Sequence, residues 1–223
     1  MKEAIKLLQD YEVVSKGRMA HIQIYKHRRS GYEILEKTLS IKSGLDEINI
    51  MKKLKGNCFP KLIDYVTQPN QSILYMEKIE GVAFSEIGLR KNFREKVLNH
   101  LDVVLFNCIE CLKTFHYEGF IHRDVKPDNL MIDDQLNVFL IDFGSAIPFD
   151  AHHLKASCVG TLAYMSPEAV FKPHEMDASS DYYSLGKSLI ELIGNDAAKI
   201  SYETLDLILS LCQLQKNKRK NLK

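Results

Sequence analysis

The chain has 223 residues, 45% of them hydrophobic, with 30 basic against 29 acidic side chains and a formal net charge of +1. That balance excludes a global field drawing the protein to nucleic acid, and the length suffices for one or two packed cores. No run of about 18 apolar residues is present to span a bilayer, and Met1-Lys2-Glu3-Ala4-Ile5-Lys6 is charged where a secretory leader needs an apolar core, so a cytoplasmic protein is expected.

In chain order, Val13 to Ile22 reads as a loop between two strand-like runs, a generic hairpin when taken alone. Ile22 and Ile24 continue an alternation that turns at Arg28-Arg29-Ser30-Gly31 and resumes through Ile34-Leu35-Glu36-Lys37. Ser43-Gly44 supplies a turn into a helix carrying Leu45-Asp46-Glu47 near its start, with Ile50, Met51 and Leu54 as its apolar stripe. Ile73-Leu74-Tyr75-Met76 is a further apolar run, closed by Gly81. Val97 to Phe115 reads as one helical run with Leu101, Val104, Leu105, Cys108, Leu112 and Phe115 on its apolar faces. Cys108 and Cys111 have C-x-x-C spacing, but no second pair completes a zinc site, so core packing is the expectation. Five cysteines, an odd count, fit free thiols in a reducing compartment.

The most specific pattern follows. His122-Arg123-Asp124-Val125-Lys126-Pro127-Asp128-Asn129 is succeeded, thirteen residues after Asn129, by Asp142-Phe143-Gly144. Moving a γ-phosphoryl group requires a positioned hydroxyl and positive charge to offset the phosphate oxygens. Asp124 is suited to accept the hydroxyl proton, and Lys126 to reach the γ-phosphate. Asn129 and Asp142 offer hard oxygen ligands of the kind Mg²⁺ prefers. The runs Leu130-Met131-Ile132 and Val138-Phe139-Leu140-Ile141 around the turn Asp133-Asp134-Gln135-Leu136-Asn137 predict a hairpin that brings Asn129 and Asp142 to adjacent strand ends. These residues read as a phosphoryl-transfer centre.

Beyond it lie Gly160-Thr161-Leu162-Ala163-Tyr164-Met165-Ser166-Pro167-Glu168 and Asp181-Tyr182-Tyr183-Ser184-Leu185-Gly186. A helix is predicted from Leu185 to Ile193, stopped at Gly194-Asn195, and another through Leu205, Ile208, Leu209, Leu211 and Cys212. Lys216-Asn217-Lys218-Arg219 precedes a basic ending.

In this order, over nearly the whole length, these motifs resemble the catalytic domain of a eukaryotic-type (Hanks-type) serine/threonine protein kinase in a small single-domain form. The resemblance implies an α+β, bilobal fold: a small antiparallel-sheet N-lobe to about residue 79, then a hinge and a mostly helical C-lobe, shortened after its central helix. Asp124, Lys126, Asn129 and Asp142 take catalytic roles, with Asn129 and Asp142 also holding Mg²⁺. Ser166-Pro167-Glu168 stands where Ala-Pro-Glu is usual, Asp181 holds the backbone of the His122-Arg123-Asp124 loop, and Arg219 pairs with Glu168. Lys126, together with Thr161 joining Asp124 and Lys126, resembles the serine/threonine pattern, so a protein substrate with a Ser or Thr acceptor is implied, with ATP as donor.

For ATP the resemblance implies Val14, Ser15, Gly17, Ile22, Leu35, Lys37, Glu47, Met76, Glu77 and Ile79. Of the glycine-rich loop only Gly17 keeps its glycine, with Ser15 and Ala20 replacing the outer two; glycines there let backbone N–H groups approach phosphate without an intervening Cβ. Lys37 matches the ATP-anchoring lysine, with Lys42 as fallback, and Glu47 its carboxylate partner, although only ten residues separate Lys37 from Glu47. Leu35 replaces an Ala that lies against adenine, Met76 takes the gatekeeper place, and Glu77 to Ile79 the hinge. In the loop from Gly144 to Ser166, Ser157 matches a common phosphorylation position that Arg123 would read, with a solvated serine as the plain alternative, and Cys158 is a candidate for redox control. The runner-up for the whole chain is a pseudokinase or regulatory binding module that keeps the fold.

Overall fold

A computed structural model describes residues 8–16, 21–151 and 159–219. Gly17, Ala20, Ser157 and Cys158 lie outside the described residues. The chain divides into two compact units, residues 1–54 with 59–79, and residues 55–58 with 80–223. The first carries an antiparallel sheet and the second is mostly helical. Among the described residues no helix is long and apolar enough to cross a membrane.

In the first unit, β1 (Tyr11–Lys16), β2 (Ile22–His27), β3 (Glu33–Ser40), β4 (Leu62–Thr67) and β5 (Gln71–Glu77) form one sheet in the order β1-β2-β3-β5-β4. Because side chains directly opposite in an antiparallel ladder share a face, the register fixes two distinct surfaces. Ile22 and Leu74 flank Lys37, while Ile24 and Met76 flank Leu35, two residues back on the same face. On the other face Ile34, Val66 and Tyr75 are buried together, with Leu8, Tyr11, Tyr25 and Ile73 packed around them. A bulge between Val13 and Ser15 interrupts β1, and Val14 and Ser15 are exposed.

The helix α1 (Ile41–Met51) begins directly after β3, earlier than the Ser43-Gly44 turn predicts. Ser40 is the reason: its side chain accepts the Ser43 N–H and caps the helix at once. With no loop to cross, ten residues suffice to bring Glu47 back to Lys37. Gly44 therefore sits inside the helix, where glycine ordinarily costs about 1 kcal/mol. Packing requires it, since a Cβ there would lie 2.3 Å from the Ser72 Cβ on β5. Ile50 and Met51 are buried as predicted, whereas Lys42 is exposed on the helix.

In the second unit the predicted run from Val97 to Phe115 is two helices, α2 (Lys91–Asn99) and α3 (Leu101–Tyr117). The break is at His100, whose backbone leaves helical geometry at φ −124° and ψ 34°. An apolar periodicity that carries across both segments hides such a break. The faces are right nonetheless: Leu101, Val104, Leu105, Cys108, Leu112 and Phe115 are all buried. β6 (Val82–Ala83), β8 (Leu130–Ile132) and β9 (Val138–Leu140) make a three-stranded sheet, and β7 (Phe120–Ile121) pairs with β10 (Ile147–Pro148).

α4 (Pro167–Phe171) is capped by Ser166 with Pro167 at its first turn. α5 (Ala178–Ile193) starts a full turn and more before Leu185, because the Asp177 carboxylate accepts the Ser179 N–H at 2.9 Å and supplies the cap. α6 (Tyr202–Leu211) buries Ile208 and Leu211 but leaves Leu209 exposed, contrary to the apolar stripe read from the sequence. β4, α4, the two-residue strands β6 and β10, and the part of α2 before Val97 carry no usable periodicity in the chain.

Candidate functional site

The polar centre of the second unit is assembled on the segment after β7. Its backbone is held from behind by Asp181 on α5, which is 1% exposed. One Asp181 oxygen accepts the His122 N–H at 2.8 Å and the other the Arg123 N–H at 2.9 Å. His116, at the end of α3, adds its Nε2 to Asp181 at 2.8 Å. Burial alone would push the Asp181 carboxyl up, but the His116 side chain, with the His122 backbone N–H, holds it below the usual range. Arg123 can then keep φ at +67°, a conformation that costs a non-glycine residue about 1–3 kcal/mol unless its surroundings enforce it.

His122 is fully buried, and that burial lowers its pKa and keeps the ring neutral. Its Nδ1 accepts the Asp124 N–H at 3.3 Å, which leaves Nε2 to donate to the Ile141 carbonyl, also at 3.3 Å. The imidazole thus ties the start of one motif to the residue before Asp142. Phe143 stacks on Phe115 of α3 with centroids 5.6 Å apart and meets His122 edge-on at 5.9 Å.

Asp124 is where the network converges. One carboxylate oxygen accepts the Thr161 N–H and hydroxyl, each at 2.8 Å. The other accepts Lys126 Nζ at 2.7 Å and Asn129 Nδ2 at 3.1 Å. Lys126 Nζ also donates to Thr161 Oγ1 at 2.9 Å, so Asp124, Lys126 and Thr161 form a closed triangle. Thr161 reaches the site because Gly160 allows it: with φ at +118°, a Cβ there would lie 2.3 Å from the Arg123 carbonyl oxygen.

The predicted hairpin forms, with Leu130 opposite Leu140 and the turn built by Asp133, whose carboxylate accepts the Gln135 and Asn137 N–H groups at 2.9 and 2.8 Å. The Ile141 N–H donates to the Asn129 carbonyl at 3.0 Å, so Asn129 and Asp142 stand at adjacent strand ends. Asn129 turns its Nδ2 onto the Asp124 carbonyl at 2.9 Å, which leaves the amide oxygen as its ligand side. Asp142 holds φ at +64°, with one carboxylate oxygen accepting the Gly144 N–H at 3.2 Å. An amide and a carboxylate oxygen fit Mg²⁺, which takes few protein ligands and completes its octahedron with water and phosphate oxygens.

In the first unit, Lys37 is 6% and Glu47 1% exposed, and Lys37 Nζ donates to both carboxylate oxygens at 2.8 Å. A buried pair of this geometry satisfies both charges, where either one alone would be costly. Ile22, Leu35 and Met76 share the face of Lys37, while Glu77 ends β5 on the other face, its N–H donated to the Lys61 carbonyl at 2.9 Å. Ile79 follows the strand and is half-buried.

Farther along, Arg219 grips Glu168 with Nη1 and Nη2, the latter at 2.7 Å, and Ser180 Oγ donates to the same carboxylate at 2.8 Å. Burial would raise the Glu168 carboxyl, but Arg219, with backbone, Ser166 and Ser180 hydrogen bonds, draws it down to about 2. Arg219 also lies over the Tyr183 ring at 4.9 Å. The sequence reading missed His116 and Ser180, since neither carries a local signal and each partner is remote in the chain. It also missed that Arg123 Nε donates to the Ser145 carbonyl at 2.6 Å.

Residues 11–198 match the family profile described as the protein kinase domain. The chain is 32% identical over 165 residues to a serine/threonine-protein kinase, CLA4, of Candida albicans, covering 72% of this chain and 17% of that protein. It is 29% identical over 204 residues to the SNF1-related protein kinase catalytic subunit alpha KIN12 of Arabidopsis thaliana, covering 85% of this chain and 40% of that one. An Aurora kinase of Candida glabrata is 28% identical over 200 residues, 83% of this chain and 54% of the relative. The chain therefore spans from 17% to 54% of the length of these curated relatives.

Proposed function

Because the chain belongs to the protein kinase domain family, we propose that residues 1–223 act as one kinase domain that transfers the γ-phosphoryl group of ATP to Ser or Thr hydroxyls of protein substrates in the cytoplasm. The observation that carries this reading is the Asp124–Lys126–Thr161 triangle, which puts a carboxylate, an ammonium and a shaping hydroxyl within 2.9 Å of one another.

In the reaction Asp124 orients the attacking hydroxyl and accepts its proton, and its hydrogen bonds from Thr161, Lys126 and Asn129 keep the carboxylate aimed. Lys126 supplies positive charge to the phosphoryl group in flight. Asn129 and Asp142 would hold Mg²⁺, which when bound would offset the charge on the phosphate oxygens. Lys37, fixed by Glu47, anchors the phosphates of ATP. Ile22, Leu35 and Met76 provide an apolar surface for the base, Val14 and Ser15 border the phosphates, and Glu77 to Ile79 offers backbone groups to adenine.

The printed names of the relatives, which include a serine/threonine-protein kinase, support the acceptor class. The reading is tested by incubating the protein with ATP, Mg²⁺ and a generic mixture of Ser-, Thr- and Tyr-containing peptides, then identifying the phosphorylated residue by mass spectrometry. Phosphoserine and phosphothreonine formed by wild type and lost in Lys126→Ala is the expected result. Phosphotyrosine as the main product would overturn the acceptor assignment.

A further inference from the structure

The C-x-x-C pair on α3 plays no part in phosphoryl transfer, and the structure gives Cys111 a partner that the spacing does not announce. Cys58 belongs to the same unit as α3, in the short segment of residues 55–58. The Cys111 thiol donates to the Cys58 carbonyl oxygen, with the sulfur 3.6 Å away, which places the two cysteines side by side. The same Cys58 carbonyl accepts the Leu140 N–H at 2.9 Å, so the segment is fastened to β9 and keeps the two cysteines in register. Cys108 is not an equivalent partner for Cys111. On a helix, residues three apart have Cβ atoms about 5–6 Å from one another, whereas a disulfide needs about 3.5–4.5 Å.

We propose that Cys58 and Cys111 are a peroxide-oxidisable thiol pair, with Cys58 as the attacking sulfur and Cys111 as the resolving one. Access assigns the roles: Cys58 is partly exposed, while Cys111 and Cys108 are buried. Charge supports them. The neighbouring Cys111 thiol draws the Cys58 thiol below its ordinary range against the opposing effect of partial burial, while burial pushes Cys111 and Cys108 up. A thiolate-prone, reachable sulfur beside a protonated one is the arrangement that oxidises to a disulfide rather than to sulfinic acid.

In the first step the Cys58 thiolate attacks one oxygen of hydrogen peroxide. The O–O bond breaks, Cys58 becomes a sulfenic acid, and the departing hydroxide takes a proton to leave as water. In the second step the Cys111 sulfur attacks the Cys58 sulfur. The S–O bond breaks, and the hydroxyl leaves with the Cys111 proton as a second water. Two thiols lose two electrons in all, and one peroxide becomes two waters.

The test is peroxide treatment of the folded protein, alkylation of remaining thiols after unfolding, and peptide mapping with and without reductant. A reductant-sensitive Cys58–Cys111 crosslink is expected as the main product in wild type. Cys111→Ser should instead leave a Cys58 sulfenic acid that dimedone captures, and Cys58→Ser should leave Cys111 as a free thiol. Recovery of both residues as alkylated thiols, or Cys58 joined mainly to Cys108 or Cys212, would overturn the proposal. If a serine variant fails to fold, the wild-type crosslink map decides alone. None of these readouts depends on phosphoryl transfer.

Discussion

The two units carry their chemistry in different currencies. In the second, Asp124 alone accepts hydrogen bonds from Thr161, Lys126 and Asn129, and Asp181 binds two successive backbone N–H groups. In the first, the charged machinery is one ion pair, Lys37 with Glu47, and the other residues assigned to ATP offer apolar surface or backbone. The lesson is that placing charge on a reacting phosphoryl group needs particular side chains in a fixed geometry, whereas gripping a nucleotide tolerates many sequences. Substitutions in the second unit should therefore act on kcat, and substitutions on the sheet should act on KM for ATP.

The largest expected effect is on the carboxylates. Asp124→Ala should lower kcat about 1000-fold while leaving KM for ATP within a few-fold of wild type. A loss confined to KM would erase the distinction between the units. Next comes Arg219→Ala, which strands Glu168 buried without its partner and should cost about 3–5 kcal/mol of stability, read by chemical denaturation. The same pair has a pH signature. Glu168 is held at about 2 in the folded protein against an ordinary 4.5, so its contribution is complete above pH 4.5 and is lost as pH falls toward 2. Glu168→Gln should flatten the acid-unfolding profile across that window, and a profile unchanged in shape would remove the assignment.

On the sheet, Glu47→Gln should raise KM for ATP about tenfold, because the neutral amide no longer compensates the buried Lys37 charge. The smallest effect is also the most discriminating. Leu35→Ala should lower KM for ATP about two- to fivefold by opening the face shared with Met76, with kcat unchanged. A rise in KM would mean that Leu35 is a favourable contact with the base instead of an obstruction.

Legibility in the sequence followed the same division. Asp124, Lys126, Asn129 and Asp142 stand in tight local spacing, so their hairpin and its adjacent strand ends were readable directly. The Glu168–Arg219 and Asp181 contacts span long stretches of chain and were readable only through resemblance. What stayed hidden had no periodic or local cue. Ser40 set the start of α1 and thereby closed the short gap to Glu47, His100 split a helix whose apolar pattern runs on unbroken, and β4 blended into the chain between α1 and β5. Cys108 and Cys111 are buried, as the core packing expected of them requires, but the contact of Cys111 with the Cys58 carbonyl has no local cue.

The central claim is best tested by steady-state transfer of labelled γ-phosphate from ATP to a serine-containing protein substrate, with wild type, Asp124→Ala and Asp142→Ala measured together and ATP binding followed separately by calorimetry. The account predicts measurable turnover in wild type, loss of about 1000-fold in kcat for both variants, and retained binding in Asp124→Ala. Folded wild-type protein that binds ATP yet shows no transfer above the Asp124→Ala background would contradict it and favour the regulatory binding module.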